Sequence, residues 1–321
     1  EEIRKSDIIF ICVGTPTKKN SQDVELKYVF SAINEIVKLA KSKKILITKS
    51  TVPIGTGDKI EKIIKRKRKK NIEVISNPEF LREGEAVRDF RFPDRIVVGS
   101  NNPKIFKIVK KLYQPLLNKG AKFFTTSRRG SELIKYASNA FLATKITFIN
   151  ELANLCEKTG INIEDISLGI GSDSRIGSRF LRAGPAYGGS CFPKDTKGLI
   201  TTGDKYKTNL SLVKAVIKSN ENRKKIHTER IKKILGTFKN KKIAFLGVTF
   251  KPNTDDMRDS VSLKMIPFIC KSGAHVSYYD PTGEKKEFKN LKKCKFTNNI
   301  KDNCKGADLI ILHTDWDEFK T

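Results

Sequence analysis

The chain is poor in methionine (two), tryptophan (one) and histidine (three) over its 321 residues. No apolar run approaches the ~18–20 residues that a membrane-crossing helix needs, so a spanning segment is excluded. The six cysteines, Cys12, Cys156, Cys191, Cys270, Cys294 and Cys304, stand far apart and never at CxxC spacing. That pattern argues against a zinc site or a disulfide framework, and for a reducing, cytoplasmic compartment. No metal ligand set is expected. No secretory signal is visible at the start, and the first residue is not Met, so the natural N-terminus is expected to lie upstream. Acidic residues are also short: 35 Asp and Glu against 64 Lys and Arg give a formal charge of +29. A nucleic-acid-binding module would use such an excess. Here the lysines are spread along the chain rather than gathered beside aromatics. The densest run, Lys65-Arg66-Lys67-Arg68-Lys69-Lys70, closes a predicted helix, where cations suit the macrodipole. The excess therefore reads as a lysine-rich surface that also attracts anionic ligands.

What is present is regular alternation. Residues 7–13 form a continuous apolar run, as in a strand buried on both faces. A helix with Val29, Ile33, Ile36, Val37 and Ala40 on one side follows. Strands are predicted over 44–49, 72–76, 94–99 and 121–124, and helices over 58–70 and 103–113. This is an α/β pattern with a mostly parallel sheet, whose ligands sit at the carboxyl ends of strands. Thr15, Thr51 and Glu79 all lie just past strand ends. One long helix is predicted over 131–158, with Leu133, Ile134, Ala137, Phe141, Thr144, Phe148, Leu152 and Leu155 as its apolar side. On it Lys135 and Asn139 are four apart and share a face. They are either donors for a developing oxyanion or a solvated Lys beside an interhelical Asn. A second long helix, about 210–235, reads as a connector. A new strand–loop–helix unit begins at 242, with a helix over 261–270 and a strand over 275–280. The ending Ala307-Asp308-Leu309-Ile310-Ile311-Leu312 repeats the pattern of Ser6-Asp7-Ile8-Ile9-Phe10-Ile11. Two related mononucleotide-binding units are implied; if they match, the first lacks roughly sixty to seventy upstream residues, and the chain is a fragment. The expected division is 1–125, a Rossmann-like domain; 126–236, a central helical region with the cysteine loop; and 237–321, a second Rossmann-like domain.

The densest chemistry lies in Gly184-Pro185-Ala186-Tyr187-Gly188-Gly189-Ser190-Cys191-Phe192-Pro193-Lys194-Asp195. Glycines let backbone approach a ligand closely. Cys191 can be a buried, inert thiol or a nucleophile; Lys194 could favour its thiolate and Asp195 could accept a proton from water.

These stretches, together with Ser50-Thr51-Val52-Pro53, Asn77-Pro78-Glu79-Phe80-Leu81-Arg82-Glu83-Gly84, Pro93-Asp94-Arg95-Ile96-Val97, Lys135-Tyr136-Ala137-Ser138-Asn139 and Phe250-Lys251-Pro252-Asn253-Thr254-Asp255-Asp256-Met257-Arg258, resemble the UDP-glucose/GDP-mannose dehydrogenase family. The resemblance covers nearly the whole chain. It implies two Rossmann-like domains joined by a central helical region, and NAD-dependent oxidation of a nucleotide-sugar alcohol to the acid in two steps. By this resemblance Cys191 captures the aldehyde as a thiohemiacetal and then carries a thioester. Lys135 and Asn139 steady the oxyanion and hold the sugar hydroxyl. Thr51, Glu79 and Asp195 surround the catalytic water, and any of the three could take its proton. Glu79, Phe80, Leu81, Lys135, Asn139, Phe180, Leu181, Tyr187, Gly188, Gly189, Phe250 and Lys251 contact the nucleotide sugar, and Arg175 serves the neighbouring subunit's site. Thr15, Thr51, Glu83, Lys194 and Arg258 contact NAD. The family's glycine-rich phosphate loop and its final elements are not in this sequence, so NAD rests on resemblance alone. The run 175–182 is similar to the branch acting on UDP-glucose, with GDP-mannose and UDP-N-acetylhexosamines as alternatives. A homodimer or larger homo-oligomer is implied.

Overall fold

The computed structural model describes residues 1–18, 21, 23–67 and 71–320. The chain divides into two compact units, 1–139 with 194–209, and 140–193 with 210–321. The first unit runs α1 (Glu2–Lys5), β1 (Ile8–Ile11), α2 (Lys27–Leu39), β2 (Lys44–Thr48), α3 (Thr56–Arg66), β3 (Ile72–Ser76), α4 (Ala86–Arg91), β4 (Arg95–Gly99), α5 (Ile105–Leu112), α6 (Gln114–Leu117) and β5 (Lys122–Thr126). Its sheet has the order β1-β2-β3-β4-β5. Every neighbour pair is parallel except β3–β4, which is antiparallel. Strand β2 is buried on both faces, as a parallel central strand should be. Leu46 packs with Val29, Ile33, Ile60 and Ile64 on one side, and Ile45 and Ile47 pack with Ile96, Val98 and Val109 on the other.

Helix α3 begins two residues earlier than its sequence pattern suggests, because Gly55 takes a left-handed φ of +87° and turns the chain into it. Of the basic run after it, residues 68–70 lie outside the described residues.

Helix α7 (Arg128–Thr159) is 32 residues long. The row predicted as its apolar side is not its buried side. Leu133, Phe141, Phe148 and Leu155 are exposed, whereas Ser131, Glu132, Lys135, Tyr136, Asn139, Ala140, Ala143 and Thr147 are buried. The helix spends its inward face on polar groups, which leaves an apolar row outward.

In the second unit α8 (Ile163–Gly171) leads into the glycine-rich loop, after which α9 (Phe192–Lys205) returns to the first unit and α10 (Ser211–Leu235) follows. Then come β6 (Lys242–Leu246), α11 (Ser262–Lys271), β7 (His275–Tyr279), β8 (Cys294–Phe296), α12 (Ile300–Cys304) and β9 (Leu309–Leu312). This sheet is all parallel, in the order β8-β7-β6-β9, over a core of Phe245, Val248, Met265, Ile266, Ile269, Val276 and Tyr278. Among the described residues no helix is long and apolar enough to cross a membrane.

Candidate active site

In the first unit the site residues gather where β1, β2 and β3 end. The Ser50 hydroxyl donates to the Val13 carbonyl at 2.7 Å, tying the loop that carries Thr51 to the loop that carries Thr15. Thr51 is buried and Thr15 half-buried. Asn77, directly after β3, is fully buried. Its amide donates to the Val97 carbonyl at 2.7 Å, and its Oδ1 accepts from Lys49 Nζ at 3.2 Å and from the Tyr113 hydroxyl. Glu79 Oε1 stands 3.2 Å from Lys135 Nζ, while its Oε2 accepts the Leu81 amide at 2.6 Å. The Phe80 ring meets two cations, the Arg95 guanidinium 4.2 Å and Lys135 Nζ 5.3 Å from its centroid.

Lys135 is only 3% exposed, so the picture of a solvated lysine does not hold. A buried ammonium needs a counter-charge, and Glu79 supplies it. One helical turn on, the Asn139 amide donates to Asp195 Oδ2 at 2.5 Å. Asp195 is itself buried, and its Oδ1 accepts from Lys194 Nζ at 2.6 Å. The Lys194 charge is thus engaged by Asp195.

Three further groups here carry no assigned role in the sequence motifs. Burial lowers the Lys49 ammonium to about 8; nearby Lys135 pushes the same way, and Glu79 and Cys12 oppose it. Arg95 stacks on Phe80 and donates to the Ser138 hydroxyl at 3.2 Å. Asn77 organises both β3 and Lys49. Only Arg95 and Asn77 stand inside stretches that the sequence singles out; burial of Lys49 depends on partners distant in the chain. Glu83 is half-buried, and its neighbour Arg82 pairs with Glu85 and Asp89.

In the second unit the glycine-rich loop is built by close approach. A Cβ on Gly188 would stand 2.6 Å from the Asp259 carbonyl oxygen, and one on Gly189 would stand 2.7 Å from the Phe250 ring. Gly189 also has φ +77°, and its amide donates to the Arg258 carbonyl at 2.8 Å. Both positions therefore require glycine. The Asn220 side chain holds the Tyr187 backbone at both its amide and its carbonyl. The Phe192 ring meets Phe180 and Tyr187 edge-on, at 6.2 and 6.1 Å between centroids. Phe180 sits at φ +65°, while the carbonyl of buried Leu181 accepts from Ser167 at 2.6 Å. Lys251 Nζ lies 5.7 Å from the Phe250 ring centroid.

Cys191 is a free, half-buried thiol immediately before α9, with its Sγ 3.5 Å from the Ser190 hydroxyl oxygen. Arg175 and Arg258 each pair with a carboxylate two residues away, Asp173 at 2.6 Å and Asp256 at 2.8 Å. Arg175 is exposed, and Lys145 steadies its loop by donating to the Ile176 and Gly177 carbonyls at 3.0 Å.

For NAD, Thr15 and Thr51 fit a dinucleotide by their place past adjacent parallel strands, where such sheets bind ligands.

Comparison with known proteins accords with this geometry. Residues 1–117 match the NAD binding domain of the UDP-glucose/GDP-mannose dehydrogenase family, 129–222 its central domain and 244–321 its UDP binding domain. A UDP-glucose 6-dehydrogenase of Rhizobium meliloti is 46% identical over 323 residues, spanning 99% of this chain and 74% of that one. One from Bacillus subtilis is 40% identical over 321 residues, spanning 99% and 69%. The solved UDP-glucose dehydrogenase of the archaeon Pyrobaculum islandicum superposes with a TM-score of 0.92 at 32% identity, over 99% of this chain and 74% of that one.

Proposed function

Since the chain belongs to the UDP-glucose/GDP-mannose dehydrogenase family, we propose that it oxidises UDP-glucose to UDP-glucuronate in two NAD-dependent steps through a covalent bond to Cys191. The observation that carries this reading is the unbridged, half-buried thiol of Cys191 between a turn that only glycine can make and the start of α9.

When bound, NAD accepts the hydride of each oxidation. In the first, the C6 hydroxyl passes its proton through the bound water to the Glu79–Asp195 carboxylate set as hydride leaves C6, giving an aldehyde. The Cys191 thiolate adds to that carbon, and the oxygen becomes the alkoxide of a thiohemiacetal. Lys135 and Asn139 are donors suited to this oxyanion. Loss of the second hydride collapses it to a thioester. Water then attacks, the carbon–sulfur bond breaks, and the thiolate leaves. The product is the carboxylate. Glu79 and Asp195, each held by a cation, orient that water together with Thr51, and the proton passes to a carboxylate of this set. Phe80, Leu81, Phe180, Leu181, Tyr187, Gly188, Gly189, Phe250 and Lys251 are assigned to the nucleotide sugar, and Glu83, Lys194 and Arg258 to NAD.

The three functional regions are 1–125, 126–236 and 237–321. We assign self-association to the outward row of α7, with Phe141 65% exposed and Leu155 56% exposed, and Arg175 to the partner's substrate. Six unbridged cysteines accord with the cytoplasm.

The test is Cys191→Ser in the enzyme at its natural length. The expected result is a loss of uronate formation by at least about a thousandfold. Unchanged turnover would favour a single-step hydroxyacid-type dehydrogenase, which needs no thiol. Profiling UDP-glucose, GDP-mannose and UDP-N-acetylhexosamines tests the sugar.

A further inference from the structure

Three residues before Lys135, on the same buried face of α7, stands Glu132. Both of its oxygens are used. Oε2 accepts the Gly55 amide at 2.6 Å and Oε1 accepts the Gly57 amide at 2.8 Å. Those amides open α3 and end the loop that carries Thr51. The fit is tight: a Cβ on Gly57 would stand 3.1 Å from Arg128 Cδ and 3.2 Å from Glu132 Oε1. Gly55 sits at φ +87°. Nothing in the reaction above uses this carboxylate.

We propose that Glu132 is a positioning residue, whose ionised carboxylate clamps the 50–57 loop to the helix that carries Lys135 and Asn139. The link to turnover rests on the reading that Thr51 works at the NAD and water side of the reaction. Two parallel N–H donors suit a carboxylate. A protonated acid presents a hydroxyl to one of them and loses that bond. Burial pushes the Glu132 carboxyl up to about 7; Asp58 adds to this, and the two amides and Arg128 oppose it. Arg129 and Tyr136 on α7 also act on it, and Glu61 of α3 shares Arg128 with Asp58. Tyr206, just past α9, places its hydroxyl 4.0 Å from a Cβ built on Gly55. Release withdraws the two amides, which hold the pKa down, while the carboxyl stays buried under α7; protonation therefore favours release, and the clamp is set at pH 8 and released at pH 6.

The experiment is hydrogen–deuterium exchange of the 50–57 segment at pH 6 and pH 8, corrected for intrinsic exchange, in the natural-length enzyme and in Glu132→Gln. In the unaltered enzyme, protection falls about tenfold from pH 8 to pH 6. Glu132→Gln shows the low protection at both. In parallel, kcat/KM for NAD falls about ten- to a hundredfold in the variant, and the acid limb of its pH profile with midpoint near 7 disappears. Equal protection in both proteins at pH 8, or protection in the unaltered enzyme that ignores pH, overturns the proposal. The pH series on the unaltered enzyme decides it even if the variant does not fold. Lost protection with unchanged NAD kinetics upholds the clamp and contradicts the role given to Thr51.

Discussion

The two units build their shares of the functional residues by opposite means. In the first, buried and half-buried polar groups meet one another at fixed distances: Lys135 on Glu79, Lys194 on Asp195, and the Asn139 amide on Asp195. In the second, shape does the work. Gly188 and Gly189 give up their side chains so that Asp259 and Phe250 can pack against bare backbone. The difference teaches where each kind of change should register. Removing a charge alters the reaction step and its pH profile, because an orphaned partner remains buried. Adding a methyl group displaces a loop, which registers in substrate affinity and stability.

That contrast can be broken or sharpened by experiment. Lys135→Met should lower kcat by about a hundred- to a thousandfold with KM for UDP-glucose little changed, measured at steady state. A change confined to KM would move Lys135 from chemistry to substrate grip. Asn139→Leu leaves Asp195 Oδ2 without its amide donor, with only Lys194 on the other oxygen, and should lower kcat by about a hundredfold. Gly189→Ala strains a positive φ and collides with Phe250. It should raise KM for UDP-glucose about tenfold and lower thermal stability by ~1–3 kcal/mol, read by calorimetry. An alanine there without effect would refute the close-approach account. The smallest effect concerns pH. The folded-state pKa of Glu132 is about 7, above its ordinary 4.5. Its contribution to stability is thus fully present below 4.5 and is lost as pH rises through 7. Relative to Glu132→Gln, the unaltered protein should lose on the order of 1–3 kcal/mol between pH 4.5 and 8 in denaturant titrations. A flat difference would show that Glu132 does not titrate in this range.

Much of this was legible in the sequence because strand-like runs such as 44–49 alternate with helical patterns, which leaves a parallel sheet as the natural reading. The antiparallel pairing of β3 with β4 was not. The link between them holds only the six-residue α4, with no long crossover helix to return the chain in the same direction. The Lys135–Asn139 spacing marked a shared face, but not that the face is buried. The outward row of Leu133, Phe141, Phe148 and Leu155 carries the same periodicity as an inward one. Period alone cannot say whether such a row covers its own core or another surface. Glu132 stayed hidden for a different reason: its partners, Gly55 and Gly57, lie 77 and 75 residues away.

The account depends on carbon bonding to one sulfur. The natural-length enzyme, turning over UDP-glucose with NAD and quenched in acid, should yield a peptide containing Cys191 that carries the mass of a UDP-glucuronyl thioester, lost on treatment with hydroxylamine. Steady formation of UDP-glucuronate with no such adduct at Cys191, in an enzyme whose Cys191→Ser variant still completes both oxidations, would contradict it.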